Sequence, residues 1–459
     1  MDLDLRHMPM DAFHMPSIHA GMYYLPPRPG WIMRPVPAAR IEMFAASDDG
    51  AMFDLQQALI DEKQERLPKL AVEIKSAPVV LTDAEFDQSF ATINGRYWLN
   101  GAAGDRLRHR YDLQNYGPWN RDRQAVAFRQ GRLGPPYQPP VWRQPSDDLE
   151  IAIELRNGYN YYHFSVETLG VLAHFIGDET GQPINIHLRR GKQRGFVADF
   201  IEALFPELFP RVRFLTGPRQ YAAVRSVFNH RHYVYQANDK RIDEGFGKAP
   251  DLNPDASFGE TIEGRRELFC ASFDTSLRLL RERALQQMPR NLLSTLPRMV
   301  WMDRDEKGDA RKRGLSGERP LLEALRERGF QSVCFEHLSP LEQIASMQAA
   351  DIVVAPHGAG LANMIYARPD TLVIEIGTRQ TQLARWGDFL SQAHVSGCRY
   401  ATVFADVLGI DDQESVPTIA ESHLGIRIGQ RATDRILELV DLRLKQNGSG
   451  SAGGPESTG

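Results

Sequence analysis

Residues 351–376 read "DIVVAPHGAGLANMIYARPDTLVIEI", in which a histidine and two glycines follow a short apolar strand. Gly358 and Gly360 let the backbone approach a ligand with no Cβ in between. The helical pattern that follows aims unpaired N–H groups and the positive end of a dipole at the same place. This arrangement suits an anion, most often a phosphate. Arg304 stands at the end of another strand pattern, "PRMVWMDR", and brings a fixed positive charge. Glu375 is the lone charge in "TLVIEI" and is expected to accept hydrogen bonds from a ribose. Ligands of open α/β sheets bind outside the carboxyl ends of the strands, so these elements converge on one edge. His357, Gly358, Ala359, Gly360, Arg304 and Glu375 are therefore candidate ligands of a phosphorylated molecule, with Asn363 in the first turns of the helix. A plainer reading stands beside it: the glycines make a tight turn, His357 caps it, and Asn363 packs or caps.

A second candidate lies upstream. "NGYNYYHFSVETLGVLAHFIG" is almost wholly apolar except at His163, Glu167, Gly170 and His174, whose spacing of four, three and four places them on one helical face. A carboxylate one turn from a histidine fixes its tautomer and raises its basicity, which makes a general base. The alternative is an ordinary polar face or a satisfied contact between domains. Asp303-Arg304-Asp305 forms a D-x-D triplet at a strand end, a pattern that can hold a hard cation through oxygen ligands. The arginine between the two acids can neutralise phosphate without one, and no metal is expected.

The elements that must position these residues alternate. "LEIAIEL", "PINIHLR" and "RVRFL" read as strands, with "SVFN" and "HYVY" as short ones; helices start at Asn160 and run through "RGFVADFIEALF". Strands alternating with helices argue for βαβ units and a parallel sheet. Downstream, "PRMVWMDR", "QSVCFEH", "DIVVA" and "TLVIEI" alternate with the helices "ERPLLEALRER", "SPLEQIASMQAA" and "GAGLANMIY", the order of a doubly wound sheet. Ser339, Pro340 and Glu342 form a complete helix start. The expected organisation is an irregular, proline-rich arm and loop-rich region over 1–145, a first Rossmann-like domain over 146–290, a second Rossmann-like domain with a final crossover helix over 295–446, and a disordered tail over 447–459. The polar stretch 236–260 reads as a lid or a disordered loop.

The 459 residues allow two or three domains, and 42% hydrophobic with 25% charged residues is ordinary for a globular protein. A net charge of −5 gives no field for holding a polyanion, which argues against nucleic acid as a partner. The three cysteines show neither metal-ligand spacing nor a disulfide framework, and fit a reduced, cytoplasmic compartment. No stretch is long and apolar enough to span a membrane, and the first residues lack the basic and apolar regions of a signal peptide. Peripheral membrane contact is compatible with this.

"HGAGLANMIYARPDTLVIEI", together with the run from "MDRDEKGDARKRGLSGERPLLEALRERG" to "LEQIASMQAADIVV", resembles the signature of glycosyltransferase family 61 over about residues 298–377. The resemblance continues to "NYYHFSVETLGVL" as N-x-x-H-x-x-x-E. It implies an α/β GT-B fold, two Rossmann-like domains with the active site in the cleft between them, and inverting, metal-independent transfer from a nucleotide sugar. It puts Glu342 and Gln343 on motif positions and implies donor-binding roles for Arg304, Arg313, Glu318, His357, Gly358, Ala359, Gly360, Asn363 and Glu375, and catalytic roles for His163 and Glu167. One position departs: Gly317 stands where the family usually has asparagine. The expected function is a cytoplasmic glycosyltransferase acting from a nucleotide-sugar co-substrate, with a UDP-sugar as the expected donor, on a glycan or lipid-linked glycan acceptor in cell-envelope or capsular polysaccharide synthesis. No cofactor is expected. The rivals are a polysaccharide pyruvyltransferase-like enzyme and a degenerate glycan-binding domain.

Overall fold

The computed structural model describes residues 13–101, 139–233, 270–305 and 314–450, apart from positions 17, 66, 68–69, 89, 156, 192–193, 232, 411–414 and 420. Arg313, the segment 236–260 and the last residues of the tail lie outside the described residues. The chain forms two compact α/β units: unit 1 holds Met1–Pro37 and Leu70–Gln287, and unit 2 holds Ala38–Lys69 and Met288–Gly459.

Unit 1 is built on a mixed sheet. Its strands include β1 (Ser76–Asp87), β2 (Ile151–Leu155), β3 (Ile184–Leu188), β4 (Val212–Leu215) and β5 (Arg219–Asn229). β4, β3, β2 and β5 run parallel in that order, with Ile184 opposite both Ile151 and Val212. β1 then pairs antiparallel with β5, and a meander through Phe90–Ile93 and Arg96–Trp98 continues the sheet. The parallel half matches the βαβ pattern, including helix α1 (Gly195–Leu204). The antiparallel half comes from the region expected to be irregular. There, prolines discouraged a strand assignment, yet Pro35 and Pro37 sit in Met33–Pro37, the edge strand of a small three-stranded sheet. An edge strand can spare the N–H that proline lacks. "SVFN" proves to be the end of the long strand β5 rather than a short strand of its own. Helix α2 (Thr275–Gln287) packs on the unit through Leu277, Leu280 and Ala284.

Unit 2 holds a doubly wound sheet. The elements run β6 (Met299–Asp303), α3 (Glu318–Glu327), β7 (Gln331–Cys334), α4 (Pro340–Ala349), β8 (Ile352–Pro356), β9 (Leu372–Thr378), β10 (Arg399–Leu408) and α5 (Gln430–Gly450). In space the parallel strands stand in the order β7-β6-β8-β9-β10. Numbered along the chain that is 2-1-3-4-5, so the winding reverses between β6 and β8. The Ser339–Glu342 capping box starts α4 as the sequence indicates, and Gly329, at φ 88°, ends the turn after α3. Two elements come from far upstream. The strand Arg40–Ala45 pairs parallel with β10, and the helix Gly50–Gln64 buries Met52, Gln56 and Ile60. Asp48 accepts hydrogen bonds from the Gln430 and Arg431 N–H groups at the start of α5, each 2.9 Å. The segment "GAGLANMIY" forms a 3-10 rather than an α-helix, over Ala359–Tyr366. α5 runs on to Gly450, past the expected end of the last helix.

Candidate functional site

The winding reverses between β6 and β8, and the candidate anion ligands sit at the carboxyl ends of these two strands, where open α/β sheets bind ligands. β8 is wholly buried and ends at Pro356. The His357 N–H then bonds to the Ile376 carbonyl at 2.9 Å, which fixes the loop against β9. Arg304 follows β6 and folds its guanidinium over the loop, donating from Nη2 to the Pro356 carbonyl at 3.3 Å and to the His357 carbonyl. Burial pulls the pKa of Arg304 below the usual arginine value, against the pull of Glu336 and Asp303. The two glycines have distinct reasons. A Cβ on Gly358 would stand 2.8 Å from Arg304 Nη2, and one on Gly360 3.0 Å from Met302 Sδ. Both allow close approach; Gly358 itself is extended, with φ 179°.

His357 is 5% exposed and Glu375 4%. The ring Nδ1 shares a hydrogen bond with Glu375 Oε1, and the Tyr400 hydroxyl donates to Glu375 Oε2. Phe389 closes the site edge-on to the imidazole, with ring centroids 5.5 Å apart. Burial first, and then Glu375, push the Tyr400 pKa well above its usual value, so its proton stays on the hydroxyl. The structure thus gives Glu375 a different task from the expected ribose contact. Both its oxygens are engaged inside the protein, and it orients His357. Tyr400 had no motif to reveal it. The only sequence signal was parity: Glu375 pairs with Thr402 across β9 and β10, which puts Tyr400, two residues away, on the same face.

Asn363 is also inside, at 1% exposure. Its Nδ2 donates to the Gly360 carbonyl at 3.2 Å and to Gln343 Oε1 at 3.3 Å, and Gln343 donates to the Leu338 carbonyl at 3.1 Å. Asn363 therefore locks the turn to α4. Glu318 stands apart, at the start of α3, after a Leu315–Ser316 strand that pairs with Gly425–Arg427 at the other edge of the sheet. Glu342 is spent on the α4 cap. Gly317 has φ 72°, and a Cβ there would lie 2.3 Å from the Ile428 carbonyl oxygen, so asparagine does not fit this backbone without a shift. In the D-x-D triplet, Asp303 accepts from the Arg304 N–H at 2.9 Å and Asp305 faces His337 at 3.4 Å.

In unit 1 the polar stripe splits in two. The Asn160 side chain accepts from the His163 N–H at 3.4 Å and starts the helix. One α-turn, Tyr161–His163, passes into a π-turn, Phe164–Thr168, and then into a 3-10 stretch, Leu169–Phe175. Single π-turns inside helices are frequent at functional sites. Here His163 Nδ1 and Glu167 Oε1 lie 2.6 Å apart, with the two side chains 21% and 15% exposed. The ring Nε2 makes no hydrogen bond to the described residues. Gly170 and His174, by contrast, are packing residues. A Cβ on Gly170 would stand 2.5 Å from the Ser276 carbonyl oxygen, and His174 Nε2 meets Ser276 Oγ at 3.1 Å. Burial, with Lys75 and Arg278 nearby, pushes His174 down to about 3 and keeps it neutral.

Residues 161–374 match the family model described as Glycosyltransferase 61. A stretch of 120 residues is 31% identical to a beta-1,2-xylosyltransferase from Oryza sativa subsp. japonica, covering 24% of this chain and 22% of that protein. The chain thus spans about a fifth of the length of the curated relative it matches.

Proposed function

Because residues 161–374 match the model of glycosyltransferase family 61, we propose that this protein transfers a sugar from a nucleotide-sugar donor to a glycan acceptor, with inversion at the anomeric carbon. The observation that carries the reading is the convergence of Arg304, the Gly358–Gly360 loop and a carboxylate-held His357 at the strand ends where the sheet of unit 2 reverses its winding. A diphosphate leaving group needs such a cradle, because negative charge builds on it as the bond from the anomeric carbon breaks. The incoming acceptor oxygen forms its bond to that carbon from the opposite side and loses its proton to His163 Nε2. Glu167 balances the imidazolium through Nδ1. Positive charge at the leaving group comes from Arg304 and the loop N–H groups, so no metal is required. The GT-B arrangement, a UDP-sugar donor, a role in envelope or capsular polysaccharide synthesis and a cytoplasmic site of action belong to the same proposal. None of the helices among the described residues is long and apolar enough to cross a membrane.

The test is a thermal-shift panel of UDP-glucose, UDP-galactose, UDP-xylose, UDP-N-acetylglucosamine and phosphoenolpyruvate. A xylosyl donor is included because the relative is named for xylosyl transfer. A ligand at 100 times its Kd stabilises by about 2.7 kcal/mol, which is readily measured. A UDP-sugar is expected to stabilise the protein and to release UDP at an unchanged rate in excess EDTA. A shift with phosphoenolpyruvate alone points instead to pyruvyl transfer, and loss of turnover in EDTA with rescue by Mn²⁺ ends the metal-free reading.

A further inference from the structure

β2 carries one anomaly. Ile151, Ala152, Ile153 and Leu155 are all buried apolar side chains, and Glu154 lies among them. Its Oε1 is buried and makes no hydrogen bond to any described residue. Burial pushes its pKa well above the usual carboxylate range, with the Ala91 N–H pulling the other way. A carboxyl group that keeps its proton both donates and accepts. Leaving one oxygen of such a group without a partner inside a fold costs stability. A site that retains it has a use for it.

Glu154 lines a cleft confined to unit 1, together with Glu167, Asn100, Asn229 and Asp274. Most of these neighbours are already committed. Asn100 bridges the Val227 carbonyl and the Asn229 N–H at 3.0 and 2.9 Å, Asn229 accepts from the Arg231 N–H at 2.9 Å, and Asp274 accepts from the Ser276 N–H at 2.8 Å. Thr168, beside Glu167, donates to the Glu154 backbone carbonyl at 3.1 Å and ties the π-turn to β2. The cleft is therefore a polar wall in which Glu154 Oε1 has no hydrogen-bond partner among the described residues, next to the carboxylate that orients His163. We propose that this cleft is the acceptor subsite, in which Glu154 hydrogen-bonds a hydroxyl group of a carbohydrate acceptor beside Glu167. This rests on the reading of unit 1 as the acceptor-handling half of a transferase.

The experiment uses the full chain and, as probes, the methyl glycosides of glucose, galactose, mannose and xylose, followed by saturation-transfer NMR, with UDP binding measured in parallel. At least one glycoside is expected to bind the unaltered protein. Glu154→Leu should weaken it by about tenfold or more, as loss of a buried hydrogen bond to a polar ligand does. Glu154→Gln, which also donates and accepts, should bind within about threefold of the unaltered protein. Glu154→Leu also loses the contact with the Ala91 N–H, so thermal unfolding is followed alongside, and an intact cooperative transition above the assay temperature separates lost binding from lost folding. The proposal fails if no glycoside binds, or if Glu154→Leu binds as the unaltered protein does, as it would if Glu154 were merely hydrated. Glycoside binding that depends on Glu154, without binding of any nucleotide sugar, keeps the cleft as a glycan site and overturns the transferase reading. Nucleotide-sugar turnover with glycoside binding indifferent to Glu154 overturns the cleft alone.

Discussion

Two histidine–glutamate pairs, one in each unit, use the same atoms in different surroundings. His163 and Glu167 meet on a π-turn, partly open to solvent. His357 and Glu375 meet under a glycine loop, each 6% exposed at the side chain, with Tyr400 on the far carboxylate oxygen. A base must exchange its proton with substrate and then with water, which the partly open pair permits. The buried pair has its carboxylate saturated from both sides, which suits holding a ring still. The same dyad thus reads as a proton carrier in one place and as a positioning device in the other.

The largest effect that can break this comparison is His163→Ala. Removing a general base typically costs about 10²–10⁴ in rate. That loss is expected in kcat, with donor affinity unchanged. A near-normal kcat would make the first pair structural, and a larger loss in Glu167→Gln than in His163→Ala would make the carboxylate the base.

Histidines without a carboxylate partner give the next contrast. His14, His187 and His230 are pushed to about 4 and His174 to about 3, in each case chiefly by burial, and all four lie in unit 1. Unfolded histidine titrates near 6.5, so below that pH the unfolded chain binds more protons than the folded one. The stability of unit 1 is complete above about pH 6.5 and should fall by on the order of a few kcal/mol by pH 5. Denaturant midpoints measured across that range check it; a flat profile would mean that these rings are not buried neutral.

Arg304→Ala tests the proposed donor site in unit 2. Loss of a charged hydrogen bond is worth about 1.5–3 kcal/mol, and UDP affinity should fall accordingly in calorimetry. An unchanged Kd removes Arg304 from the donor site. The smallest effect belongs to Tyr400→Phe, which leaves one oxygen of a buried carboxylate unpaired. It should cost about 1–2 kcal/mol of stability and weaken UDP binding slightly, with kcat preserved. A change in kcat alone would show that the second pair also takes part in proton transfer.

What the sequence revealed was what local chemistry dictates. The strand–glycine–helix signal, the Ser339–Glu342 cap and the alternation over 298–377 all act within a few residues, and the structure repeats them. What stayed hidden was long-range pairing. "RIEMFA" carries a strand-like alternation, with Met43 and Ala45 buried, but nothing in it names β10 as its partner. Glu375 was visible as a lone charge in a strand, whereas its direction depended on Tyr400 in the next one. The stripe on the Asn160 helix looked uniform because a regular α-helix was assumed. The π-turn and the contact of Gly170 with Ser276 divide it. Glu154 passed unnoticed because a charge in "LEIAIEL" reads as the polar face of a strand.

The strand Arg40–Ala45 and the helix after it also impose an order of events on synthesis. Gln56 reaches the Ala405 carbonyl at 3.3 Å across 349 residues of chain, and Asp48 caps α5, near the end of the described chain. The first-made part of unit 2 must therefore wait for nearly the last, while unit 1 is threaded out between them. During that wait Met43, Ala45 and Ile60 lack their partner Phe404, and an unpaired strand of this kind is what chaperones hold and aggregates recruit. A ribosome stalled before β10 and α5 are made would hold a finished unit 1 and an unfinished unit 2.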